Sequence, residues 1–201
     1  MFEALRNKEK KIAIVGLGYV GLPLAMGFAD KLSVIGYDIN EERLAKLREG
    51  IDPNGELASS QLVGKDIEFT SSADKLREAS FYIIAVPTPI DQHNEPDLTP
   101  LLTATRTVAS VLKKGDYVVY ESTVYPGCTE EDCVPLLEEI SGMVYKQDFK
   151  VGYSPERINP GDKVHTLQNT VKIVSGCDDE ALSEIRQIYG LIIEAGLHQA
   201  P

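Results

Sequence analysis

A doubly wound α/β fold, a mainly parallel sheet with helices on both faces, is predicted by three features of the sequence. Short apolar runs suited to strands alternate along the chain with longer segments of helical character. One run, FYIIAV at residues 81–86, has no polar face and suits a strand buried on both sides. Residues 11–38 hold a whole strand–turn–helix–strand unit around a G-x-G-x-x-G turn. Crossovers in such sheets are right-handed, and their ligands sit beyond the carboxyl ends of the strands.

The first unit is the most informative. Residues 12–15 form an apolar strand ended by Gly16-Leu17-Gly18-Tyr19-Val20-Gly21, which opens a helix to about Lys31. A second strand, 34–37, ends at Asp38. Gly16 permits the tight turn, Gly18 lets a pyrophosphate approach the backbone, and Gly21 lets the helix pack close to the sheet. The helix start offers unpaired N–H groups and partial positive charge to an anion. Asp38 stands where a carboxylate would accept the adenosine ribose hydroxyls and repel a 2′-phosphate. The unit therefore predicts a Rossmann-type dinucleotide site that favours NAD over NADP. A bare glycine-rich turn would not carry this; its strand, helix and acid in register do.

The remaining elements follow in order. Asn40 caps a helix over 41–49, stopped by Gly50, and residues 51–66 read as a loop with at most one helical turn. A strand at 67–70 is followed by a short helix to Ala79 capped by Ser71 or Ser72. After the 81–86 strand, Pro87-Thr88-Pro89 breaks the chain. An amphipathic helix covers about 98–113, ended by Gly115, and a buried strand, YVVY, covers 117–120. A helix over about 129–140, a strand at 149–153, an irregular stretch at 158–169, a strand at 171–174 and a helix over about 178–193 complete the series.

Residues just after strands are the candidates for chemistry. Pro87 and Pro89 fix the backbone around Thr88 and hold its hydroxyl in one place, either against a cofactor or merely in a strand-ending loop. Glu121-Ser122-Thr123 puts polar groups where a nicotinamide would lie. Thr123 could hold a water or stabilise an oxyanion, and Glu121 reads equally as a surface carboxylate. Glu156, in Ser154-Pro155-Glu156-Arg157, could serve as a general base or form a plain surface pair with Arg157.

Bulk properties exclude several classes. A net charge of −11 leaves no general nucleic-acid surface. No run approaches the ~18 apolar residues of a membrane span, and no secretory leader is apparent. Cys128, Cys133 and Cys177 have no metal spacing and read as the free thiols of a cytoplasmic protein. His93, His165 and His198 are scattered, so no metal site is predicted.

Together the motifs GLGYVGLPLA (16–25), YDIN (37–40), AVPTP (85–89), PDLT (96–99), EST (121–123) and SPERINPGDK (154–163) resemble those of the nucleotide-sugar 6-dehydrogenases, the UDP-glucose/GDP-mannose dehydrogenase family. SPERINPGDK is similar to the branch that oxidises UDP-N-acetylhexosamines for surface polysaccharides; the UDP-glucose enzymes usually carry Phe-Leu after the glutamate. The resemblance implies oxidation of a sugar C6 alcohol to the uronic acid with two NAD, through a cysteine thiohemiacetal and thioester. It implies that Gly16, Gly18, Tyr19, Val20, Gly21, Asp38, Arg43, Pro87, Thr88 and Thr123 bind the cofactor. Thr123 also holds a catalytic water, Glu156 acts as base in thioester hydrolysis, and Arg157, Ile158 and Asn159 contact the UDP-sugar.

One departure bears on activity. None of the cysteines stands in the family's G-x-C-x-x-K-D setting, and the Lys-x-x-x-Asn pair is missing. Residues 1–201 are therefore expected to be the N-terminal NAD-binding domain of a longer enzyme, inactive alone. The full-length protein is expected to be a homodimer, and this portion a monomer or weak dimer. The rivals are the cofactor domain of a UDP-glucose or hydroxyacid-type dehydrogenase, the latter expected to lack the EST and SPER pairing, and a binding module without chemistry.

Overall fold

The computed structural model describes residues 1–90, 93, 95–156 and 167–200. Eight strands form one sheet: β1 (Lys11–Val15), β2 (Val34–Tyr37), β3 (Ile67–Thr70), β4 (Ala79–Ile84), β5 (Tyr117–Tyr120), β6 (Lys150–Tyr153), β7 (Lys172–Gly176) and β8 (Leu197–Gln199). Their spatial order is β3-β2-β1-β4-β5-β6-β7-β8. Every pairing is parallel except β6 with β7. The predicted doubly wound α/β sheet is therefore present, with one antiparallel step near its far edge.

The helices are α1 (Phe2–Arg6), α2 (Gly21–Ala29), α3 (Glu41–Arg48), α4 (Ser59–Leu62), α5 (Thr99–Ala109), α6 (Val134–Ser141) and α7 (Asp179–Tyr189). Side chains alternate across the sheet with period two, so one strand feeds two cores. Ile12, Ile14, Phe81, Ile83 and Val119 face α2 and α7, packing with Leu22, Phe28, Ile185 and Ile188. Ala13, Val15, Tyr82, Ile84, Val118 and Tyr120 face α5 and α6, packing with Leu101, Val108 and Leu137. Phe81, Tyr82, Ile83 and Ile84 are fully buried, as the unbroken apolar run requires.

Several element ends differ from expectation for local reasons. β4 starts and stops two residues earlier than 81–86, because Ala79 joins the ladder beside Lys11 while Ala85 and Val86 turn over the Gly16 backbone. α5 stops at Ala109 as Ser110 Oγ donates to the Thr107 carbonyl and Val111 N–H bonds back three residues to Val108. α7 stops at Tyr189, where Leu191 and Ile192 make the same tighter three-residue bonds. The segment after β3 is a 3₁₀ turn, Ala73–Glu78, without a serine side-chain cap. Thr70 Oγ1 instead accepts from the Ser72 N–H, and Ser71 donates to Glu41. The helix expected from residue 129 begins as a π turn, Thr129–Cys133, before α6.

α7 shows what a cap contributes. Asp178 Oδ1 accepts from the Ala181 N–H at 2.8 Å, and Lys150 Nζ donates to Oδ2 at 2.5 Å. Burial would raise this carboxyl, but the Lys150 ammonium and the Ala181 N–H hold it below its ordinary range. Its contribution is therefore present above the unfolded carboxylate pKa and lost as pH falls through the lower folded value. Asp178→Ala is expected to cost about 1 kcal/mol at neutral pH in urea denaturation. The gap to the native protein should shrink below about pH 4. A gap that widened in acid would contradict the capping role.

Candidate dinucleotide site

The strand order reverses direction at β1, which has β2 on one side and β4 on the other. A crevice opens there, beyond the carboxyl ends of the strands. It is a cleft of about 660 Å³ lined by the Gly16–Val20 turn, Asp38, residues 85–88, residues 121–123, Glu156 and one face of α5.

The turn is built as its glycines require. Gly16 has φ +94°, and a Cβ there would lie 2.9 Å from the Ala85 carbonyl oxygen. A Cβ at Gly21 would lie 1.8 Å from the Gly16 carbonyl oxygen, so α2 leaves the strand at a distance only glycine allows. Gly18 differs: a Cβ there would meet nothing within 4 Å. Its backbone is therefore open to the cleft. Val20 stands at the N-cap of α2 and Tyr19 is partly exposed on the cleft wall.

Asp38 is buried, and its carboxylate is held from three sides. Oδ2 accepts from the Leu17 N–H at 2.9 Å and from Arg43 Nη1 at 2.8 Å, while Oδ1 accepts from the Asn40 N–H at 2.9 Å. Arg43 is placed by α3, whose first turn is capped by Asn40 Oδ1 accepting the Arg43 N–H at 3.0 Å. This end of the cleft thus carries a fixed carboxylate beside a cation. Ile39, 80% exposed, extends this end of the cleft as an apolar surface.

At the other end, β4 and β5 are laced together. Thr88 Oγ1 donates to the Thr123 carbonyl at 2.6 Å, Ser122 Oγ to the Val86 carbonyl at 2.8 Å, and Tyr153 OH to the Ser122 carbonyl at 3.0 Å. Pro87 lines the same wall, and Thr123 is exposed to the cleft. Glu121 is not a surface carboxylate: it is 1% exposed. Lys172 Nζ lies 2.6 Å from its Oε1, an ionic contact off the hydrogen-bond axis, and Tyr189 OH donates to Oε2 at 2.6 Å. Burial pushes the Glu121 carboxyl up and the Glu156 charge adds to this, while Lys172 and Tyr189 oppose it.

The structure thus brings Gly16, Gly18, Tyr19, Val20, Asp38, Arg43, Pro87, Thr88, Thr123 and Glu156 to one cleft, with Gly21 shaping the turn beneath it. Arg157, Ile158 and Asn159 lie outside the described residues, as does His165. His93 and His198 are exposed. Cys128 and Cys133 are buried, and burial pushes the Cys128 thiol up to about 12, which fits unreactive thiols. Among the described residues no group of three His, Cys, Asp or Glu side chains could hold a metal, and no helix is long and apolar enough to cross a membrane.

Sequence reading missed the contribution of α5. Thr99, Thr103 and Thr107 line the cleft together with Pro100 and Ala104. Their spacing of four was the available signal, since it places three hydroxyls along one helical stripe. It also missed Lys172, whose charge inside the apolar VKIV strand was the clue.

These residues fit a dinucleotide. The open side of Gly18 admits a pyrophosphate against the backbone, α2 offers its positive end, and Asp38 stands one strand away for a ribose. The UDP-glucose/GDP-mannose dehydrogenase family, NAD binding domain, matches residues 10–193. The chain belongs to that family. It is 55% identical over 192 residues to protein CapL of Staphylococcus aureus, covering 96% of this chain and 45% of that protein. It is 54% identical over 193 residues to the UDP-N-acetyl-D-glucosamine 6-dehydrogenase of Salmonella typhi, again covering 96% and 45%. A solved UDP-D-ManNAc dehydrogenase from Pyrococcus horikoshii superimposes with a TM-score of 0.85 at 33% identity, covering 94% of this chain and 46% of that one. The chain spans about half the length of the relatives it matches.

Proposed function

We propose that residues 1–201 form the NAD-binding domain of a UDP-N-acetylhexosamine 6-dehydrogenase, which oxidises the C6 alcohol of its sugar to the uronic acid for surface polysaccharide synthesis. One observation carries this reading: the dinucleotide turn, Asp38, Thr123 and Glu156 all open on a single cleft. Similarity above 50% to a UDP-N-acetyl-D-glucosamine 6-dehydrogenase supports that sugar class over the UDP-glucose branch. A cytoplasmic homodimer, completed by the half of the enzyme that carries the cysteine nucleophile, belongs to the same proposal.

When bound, NAD supplies the hydride acceptor. The chain's own residues hold and orient: the Gly16–Val20 turn receives the pyrophosphate, Asp38 and Arg43 the adenosine ribose, and Thr88 and Thr123 border the nicotinamide end. Arg157, Ile158 and Asn159 would meet the UDP-sugar. In the last step Thr123 holds a water and the Glu156 carboxylate takes its proton. The resulting hydroxide adds to the thioester carbon, the C–S bond breaks, and the cysteine leaves as thiolate.

Titration of this chain with NADH and NADPH, followed by the reduced nicotinamide's fluorescence, tests the cofactor half of the reading. No tryptophan interferes. Saturable NADH binding with at least about tenfold weaker NADPH binding is expected, since a 2′-phosphate meets the Asp38 charge. Equal affinities would remove that discriminating role. The full-length protein should form both NADH equivalents from a UDP-N-acetylhexosamine, with UDP-N-acetylglucosamine tested first, and failure with the gluco, galacto and manno sugars alike would refute the substrate class.

A further inference from the structure

At the end of the cleft lined by Glu121 and Glu156 lies a buried charged pair that cofactor binding does not explain. Lys172, the first residue of β7, is 3% exposed, and Glu121 beside it 1%. Ion pairs buried this deeply are costly to form and are not a default means of stabilising a fold. Lys172 has a second contact: its Nζ donates to the Pro155 carbonyl at 3.4 Å. That carbonyl belongs to the peptide unit that carries Glu156. Ser154, just before it, donates its N–H to the Tyr120 carbonyl at 2.9 Å and its hydroxyl to the Ile173 carbonyl at 2.8 Å. Tyr189 of α7 fixes the other Glu121 oxygen. Three elements, β5, β7 and α7, therefore converge on the short link between β6 and Glu156.

We propose that Lys172 and Tyr189 are positioning residues for Glu156, acting through Glu121 and the Pro155 carbonyl. The proposal rests on the reading of Glu156 as the base of thioester hydrolysis. A base must lie within hydrogen-bond reach of its proton or one water away, and misplacement by about 1 Å can cost ~100-fold in rate. Glu156 stands three residues past the end of β6, and the ammonium shared between Glu121 and Pro155 fixes the peptide unit that carries it. Tyr189 keeps the Glu121 carboxylate from rotating away from that ammonium. The proximity of the two carboxylates also gives Lys172 an electrostatic role, as the cation that lets both stand at one end of the cleft.

The test uses the full-length protein with UDP-N-acetylglucosamine and NAD. Glu156→Gln is expected to release both NADH equivalents in a burst, then nearly stop, with a substrate-derived acyl adduct on the protein in intact-mass spectra. Lys172→Met and Tyr189→Phe should show the same adduct and a burst of full amplitude, with steady-state turnover slowed ~10- to 100-fold. NADH affinity should stay native, and Lys172→Arg should recover part of the rate. Loss of burst and turnover in equal proportion, as a partly unfolded protein gives, would overturn the positioning role. So would native turnover in both variants, while the Glu156→Gln adduct left the base assignment standing. Absence of an adduct in Glu156→Gln would remove the base assignment and this inference with it. If Lys172→Met does not fold, Tyr189→Phe decides, since it deletes one oxygen and leaves the ion pair.

Discussion

Alanine at Gly21 should unfold this domain more readily, while alanine at Gly18 should spare the fold and remove the cofactor. Both glycines belong to one six-residue turn, yet their surroundings are opposite. The added methyl at Gly21 would sit 1.8 Å from the Gly16 carbonyl oxygen, a backbone atom that cannot swing aside. Relief requires α2 to move off the sheet, and α2 buries Leu22, Leu24, Met26 and Phe28. Overpacking of this kind costs about 3 kcal/mol or more. For a domain of this size that lowers the melting temperature by roughly 6–12 °C. At Gly18 the methyl meets no protein atom within 4 Å and the residue is outside the left-handed region, so stability should change by less than about 1 kcal/mol. The methyl does enter the space where a pyrophosphate would lie, and NADH affinity should fall at least about tenfold. Thermal melts and NADH titrations of the two variants separate the effects. A Gly18→Ala protein that binds NADH normally would place the pyrophosphate elsewhere, and a Gly21→Ala protein of native stability would contradict the tight turn.

Such contrasts mark the limits of sequence reading. The pattern G-x-G-x-x-G carries the turn, because glycine spacing reflects backbone geometry, and β2, β3 and β5 fall on their expected residues because each apolar run is bounded by polar or turn residues. α1 and β8 escape such reading. A five-residue helix is not stable alone; α1 is held by buried Leu5 and by its chain start, where the Phe2 N–H donates to Glu184 Oε2 at 2.5 Å. β8 has three residues and exists through its parallel pairing with β7. Both owe their form to partners more than 20 residues away. Glu121 shows the same limit at the site: Glu-Ser-Thr after a strand reads equally as a polar group facing a nicotinamide or as a surface carboxylate. Only the folded arrangement brings Lys172 and Tyr189, 51 and 68 residues further on, to its two oxygens.

At Asp38 the expected effect is a change of cofactor preference. Asp38→Asn keeps the shape of the side chain but removes its charge and one acceptor oxygen. The carboxylate now receives the Leu17 N–H, the Asn40 N–H and Arg43. In the variant at least one of these donors must face an amide NH₂, which should cost about 1–3 kcal/mol of stability in urea denaturation. A charged acceptor for the ribose hydroxyls is lost too, and NADH affinity should fall ~10- to 100-fold. NADPH should lose far less, because the variant no longer repels a 2′-phosphate, and Arg43, released from its ion pair, can meet that phosphate as a bidentate donor. The preference for NADH should therefore narrow or invert. Arg43→Ala combined with Asp38→Asn separates these causes. If NADPH binding falls back in the double variant, Arg43 supplies the phosphate contact; if it does not, relief of repulsion alone explains the change. An unaltered preference in Asp38→Asn would show that selectivity resides outside this carboxylate, with the threonine face of α5 as the next surface to vary.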